Sequence, residues 1–169
     1  MAWSSLTAIF RGLFSRRSTS STSDPALPVE IDAGEDFVRF ILSRSQFAPG
    51  LGRVKPQALM PLFNAAKRRF ETSTHRIAGL TDIQVWKLGY SCVENLAEGR
   101  AVKASGIGKF ALATGQDLAL DVNGEPYPRH VDIVNWPEDK DARLMRATEM
   151  ADQLKLRVDP RGETASVTK

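Results

Sequence analysis

Arg129, His130, Val131 and Asp132 are consecutive, and in an extended strand His130 and Asp132 project from one face. A carboxylate beside an imidazole raises its pKa and fixes its tautomer, as a general base requires. Thr74-His75-Arg76 sets the second histidine beside an arginine able to clasp a phosphate or carboxylate through two bonds. His130, Asp132 and Arg76 are therefore the catalytic candidates. Arg39, Arg44 and Arg76 are the ligand-binding candidates. Together with His130 they would form an anion pocket if the two strands are neighbours. A structural reading competes at each position. His130 and Asp132 would brace turns beside Trp136, and salt bridges to Glu35, Asp36 or Asp132 would occupy the arginines.

Other motifs fall short of chemistry. Gly106-Ile107-Gly108-Lys109 lacks the glycine spacing and Lys-Ser/Thr of a phosphate loop, because Phe110 follows Lys109. A bulge or tight bend in a β segment explains it better. Cys92 is a lone thiol and reads as a core residue. Trp86 and Trp136 read as core, since neither lies in a basic, aromatic-interleaved run. One cysteine and two histidines exclude a disulfide framework and leave too few ligands for an all-protein zinc site. No metal and no cofactor are expected.

The chain has 169 residues, 42% apolar and 25% charged, with a formal net charge of +3. That composition suits one globular domain with tails. Residues 1–23 hold Arg11, Arg16 and Arg17 and no acid, which leaves 20 Lys or Arg against 20 Asp or Glu in the rest. The body is neutral, so nucleic acid is not supported as a partner. Lys67-Arg68-Arg69 reads as a solvated face.

The positive excess belongs to an amphipathic pattern. Trp3, Leu6, Phe10 and Leu13 recur at helical spacing and precede Arg16 and Arg17. A helix this short needs a surface to lie on. Residues 1–17 are read as contacting a membrane surface or a protein partner; a cleaved organellar targeting segment and a frayed tail are the alternatives. Residues 18–29 form a Ser/Thr/Pro linker. Peripheral attachment implies a cytoplasmic protein, and cleavage implies an organellar one.

The elements that must position the candidates follow from local pattern. Asp36–Ser43 suggests a buried strand, and the prolines and glycines of 47–61 forbid a long element. A short helix is expected within Ala58–Phe70, then a strand at Thr72–Ile77. Thr81-Asp82-Ile83-Gln84 fits a capping box, opening a helix with Ile83, Trp86 and Leu88 inward and Gly89 as its C-cap or a break, with a second turn or strand through Val93 and Leu96 as the alternative. Leu118, Leu120 and Val122 alternate as a strand. Asn123-Gly124 signals a turn. A strand through Val131 and Ile133 follows. The last helix is expected over Glu138–Leu156, with Leu144, Ala147, Ala151 and Leu154 inward and Lys155 and Arg157 at its end. The fold class is α+β: one domain over 30–158, a small mixed or antiparallel sheet and a C-terminal helix packed on it. Residues 159–169 read as a disordered tail.

Phe40-Ile41-Leu42-Ser43, Val54-Lys55-Pro56, Arg76-Ile77-Ala78-Gly79-Leu80 and His130-Val131-Asp132-Ile133 through Trp136-Pro137, with Lys140, resemble a family of small bacterial proteins without a known activity. The resemblance covers about 37–157. It implies a bacterial source and a compact domain, and carries over no catalytic residue. The leading functional expectation is a non-enzymatic binding or accessory module. Its runner-up is an enzyme acting on a phosphate-containing or nucleic-acid-derived substrate through Arg76, His130 and Asp132.

Overall fold

Phe37–Ile41 is apolar at four of its five positions because both faces of the strand it forms (β1) are covered. The computed structural model describes residues 27, 31–32, 34–94, 101–109, 118–122 and 129–161. After β1 come β2 (Phe47–Ala48), β3 (Arg53–Val54), β4 (Leu62–Asn64), β5 (Arg69–Arg76) and helix α1 (Asp82–Glu94). Then follow β6 (Ala104–Gly108), β7 (Ala119–Asp121), β8 (His130–Val134), helix α2 (Lys140–Ala151) and β9 (Lys155–Val158). The main sheet runs β7-β8-β5-β1-β6-β9 with β4 added to β5, and its pairs are antiparallel. β2 and β3 form a separate hairpin. This is an α+β domain with helix α2 packed on the sheet, as expected.

Register assigns the two faces. Phe37 and Ile41 join Val131 and Ile133 in a core closed by Ala147, Met150 and Ala151 of α2 and by Leu59. Val38 and Phe40 point the other way, into a second cluster with Val102 and with Val85 and Trp86 of α1. Thr81 and Gln84 cap α1 reciprocally: Gln84 Oε1 accepts from the Thr81 amide at 2.8 Å, and Thr81 Oγ1 accepts from the Gln84 amide at 3.4 Å.

Five expectations need correction. No helix forms within Ala58–Phe70. Asn64 Oδ1 accepts from the Ala66 and Lys67 amides and turns the chain, so β4 pairs back onto β5. Gly89 does not end α1; it lies mid-helix because the Phe40 ring occupies the space a side chain would fill. Ile83 is 69% exposed, and Val85 takes the inward place. The last helix starts at Lys140, capped by Asp139, and stops at Ala151; Leu144 is 40% exposed, and Lys155–Val158 is strand β9 paired with β6. Gly106 and Gly108 make no bend. They sit in straight β6, where a Cβ on either would lie 2.8 Å from Leu154.

Asn123-Gly124 lies outside the described residues, as do 1–26 with Trp3, Leu6, Phe10, Leu13, Arg16 and Arg17. Within 159–169, Asp159 is buried: its amide bonds the Lys103 carbonyl and its carboxylate accepts from the Tyr90 hydroxyl at 2.8 Å. Among the described residues no helix is long and apolar enough to cross a membrane.

Candidate functional site

Antiparallel pairing of β5 with β8 places Ser73 opposite Asp132 and His75 opposite His130. All four side chains therefore share one face. His130 Nε2 lies 3.3 Å from Asp132 Oδ1, and the Ser73 hydroxyl donates to the same oxygen at 3.3 Å. Lys67 reaches Asp132 Oδ2 at 3.3 Å. The two imidazoles meet edge to face, with centroids 5.4 Å apart, and Cys92 Sγ is 3.3 Å from His75 Nε2. A buried polar line thus runs from the last turn of α1 across two strands.

Its electrostatics oppose nucleophilic catalysis. Burial, then the neighbouring His130 and Arg39, lower the His75 pKa to about 3. Burial pushes the Cys92 thiol up to about 11. The pair is a neutral imidazole and a protonated thiol at neutral pH, whereas an attacking cysteine needs its thiolate. The C-terminal half of a helix disfavours a thiolate further. Among the described residues no cluster of three or more His, Cys, Asp or Glu could hold a metal ion.

The anion-pocket candidates do not converge. The strands of Arg76 and His130 are neighbours, but Arg76 has the opposite parity on β5 and points to the other face. There it makes two bonds to Glu35, of 2.7 and 2.6 Å, with both side chains at most 4% exposed. Arg44 opens an exposed turn. The basic run is a hairpin: Lys67 pairs with Glu71 and Asp132, and Arg69 pairs with Glu71 and Asp121.

Arg39 is different. Its Nε donates to the Ala58 carbonyl at 2.9 Å and its Nη1 to the Ser73 carbonyl at 2.8 Å. Among the described residues it has no ion pair, and Nη2 has no acceptor. Burial pushes its pKa down, and Asp132 pulls it part of the way back. Arginine nonetheless stays a cation at neutral pH. It lines a cavity of about 400 Å³ whose walls include Met60, Leu62, Phe63, Glu71 and Ser73. Ligand pockets commonly hold about 300–1,000 Å³. Sequence reading found Arg39 but missed the walls, because it placed a helix where β4 lies. The Asn64-to-Lys67 turn is the signal that would have found them. No protein-family model, curated protein or solved structure matches this chain.

Proposed function

We propose that the chain is a non-enzymatic binding module whose domain takes an anionic ligand in the Arg39 cavity. One observation carries this reading: a half-buried guanidinium that holds two main-chain carbonyls, has no carboxylate partner among the described residues, and lines a cavity. A partly desolvated cation without a bonded carboxylate is costly, and an anion from solution offsets that cost. The enzyme reading has one supporting contact, His130 with Asp132, while Arg76 is bonded to Glu35 on the far face.

The test is a titration of the ¹⁵N-labelled full chain with inorganic phosphate and, separately, 4-methylpentanoate. Saturable shifts at Arg39 Nε and the Ser73 amide are expected with at least one anion. Leu62 is 76% exposed, so Leu62→Glu leaves the fold intact and puts a repelling charge at the cavity wall. It should abolish those shifts. Absence of a saturable shift with both anions in the wild type sinks the reading.

The N-terminal segment belongs to the same proposal. Residues 1–17 would hold the module to an anionic membrane surface through Trp3, Leu6, Phe10, Leu13, Arg16 and Arg17. Full-length protein should sediment with anionic liposomes, and a chain lacking residues 2–17 should stay in the supernatant. Equal sedimentation removes the membrane tether.

A further inference from the structure

We infer that the cavity selects a monocarboxylate with an apolar body and rejects phosphate, a deduction that rests on the anion-binding reading above. Three observations converge. Arg39 supplies one cation, and two of its nitrogens are committed to main-chain carbonyls. That leaves Nη2, with partial help from Nη1, for a ligand: enough for a carboxylate and few donors for a phosphate dianion. The lining carboxylate, Glu71, is already held by Lys67 and Arg69, and Asp132 is held by Lys67, so Arg39 is the one cation among the lining residues. A second negative charge on the ligand would meet no second cation on the cavity wall. Finally, Met60, Leu62 and Phe63 are apolar, with Leu62 76% and Phe63 57% exposed. Hydrocarbon laid on them leaves water, whereas a hydrated phosphate gains nothing there.

The ligand chemistry has two sources, a free small acid or the C-terminus of a chain ending in an apolar residue. Four probes separate the cases on the full chain: 4-methylpentanoate, its neutral amide, inorganic phosphate, and N-acetyl-Ala-Ala-Leu with a free carboxylate. The acid should bind at least tenfold tighter than the amide and than phosphate, with the Arg39 Nε–H resonance moving. Leu62→Glu should remove that binding with the fold unchanged by circular dichroism. A tripeptide tighter than the small acid assigns a chain terminus, and the reverse order assigns a free acid; either supports the class. Phosphate binding as tight as the acid overturns the carboxylate inference while the anion site stands. Equal binding of acid and amide overturns it too, because charge is then not read. Silence from every probe defeats the anion site itself.

Discussion

The Arg39 guanidinium on β1 donates at 2.8 Å to the main-chain carbonyl of Ser73 on β5. Ser73 lies between the stretch of β5 that pairs with β4 and the stretch that pairs with β1. A side chain therefore satisfies an acceptor where β5 changes partner, and its second bond, to Ala58, ties in the segment before β4. Arg39→Met should lose both bonds. Charged hydrogen bonds contribute about 1.5–3 kcal/mol each, with partial relaxation expected on removal. The variant should unfold about 2–4 kcal/mol more easily in urea. Arg39→Lys should recover less than half of that, because an ammonium does not span both carbonyls as the planar fork does. Full recovery by lysine would mean that charge alone matters.

Gly89 tests the packing of α1 on the sheet. Alanine is the better helix former by about 1 kcal/mol, so propensity alone predicts that Gly89→Ala stabilises. A Cβ there would lie 2.6 and 2.7 Å from two Phe40 ring carbons. Overpacking costs about 1–3 kcal/mol and should win. The variant is expected to be destabilised by about 1 kcal/mol net of propensity. Adding Phe40→Leu should cost less in the Gly89→Ala background than in the wild type. Additive costs would contradict the contact.

The Glu35–Arg76 pair separates stability from binding. Removing one partner of a buried ion pair costs about 3–5 kcal/mol, whereas replacing both by apolar residues is often near neutral. Glu35→Gln should therefore be far more destabilising than Glu35→Leu combined with Arg76→Met. The double variant should keep the anion titration of the wild type, since Arg76 is bonded to Glu35 and is not among the residues lining Arg39's cavity. Loss of binding in a folded double variant would return Arg76 to the site.

Local signals in the chain were enough for the α+β class, the cap at Thr81 and the strands around Phe37–Ile41 and His130–Val134. Each depends on neighbours in sequence: alternation, a capping pair, a proline stop. What stayed hidden depends on neighbours in space. Gly89 looks like a helix end until Phe40 is placed against it. Lys155–Val158 continues a helical pattern until β6 offers it a strand partner and Gly106 admits Leu154. The site was half legible for the same reason. The His130–Asp132 contact follows from two-residue spacing in one strand. The separation of Arg76 from His130 required the cross-strand register, and the cavity beside Arg39 required the β4–β5 hairpin.

His75 gives the domain a defined acid sensitivity. Its ordinary pKa of 6.5 falls to about 3 in the folded chain, chiefly through burial, with His130 and Arg39 adding repulsion. Between those two values the unfolded chain binds a proton that the native state refuses. The stability attributable to this group is complete above its unfolded pKa and declines as pH drops through the window, by up to about 1.4 kcal/mol per pH unit. His75→Phe keeps a ring between Phe40 and His130 and removes the titration. Carboxylates elsewhere contribute equally to both proteins, so the comparison isolates His75. The unfolding free energy lost between pH 7 and pH 5 should be about 2 kcal/mol smaller in the variant. Its absolute stability will also register the lost Cys92 contact, which is why the pH difference is the quantity to compare. The His75 ring in the native wild type should stay neutral by NMR at pH 5. Parallel pH profiles for the two proteins would show that His75 is free to protonate in the fold and that the polar line is open to water.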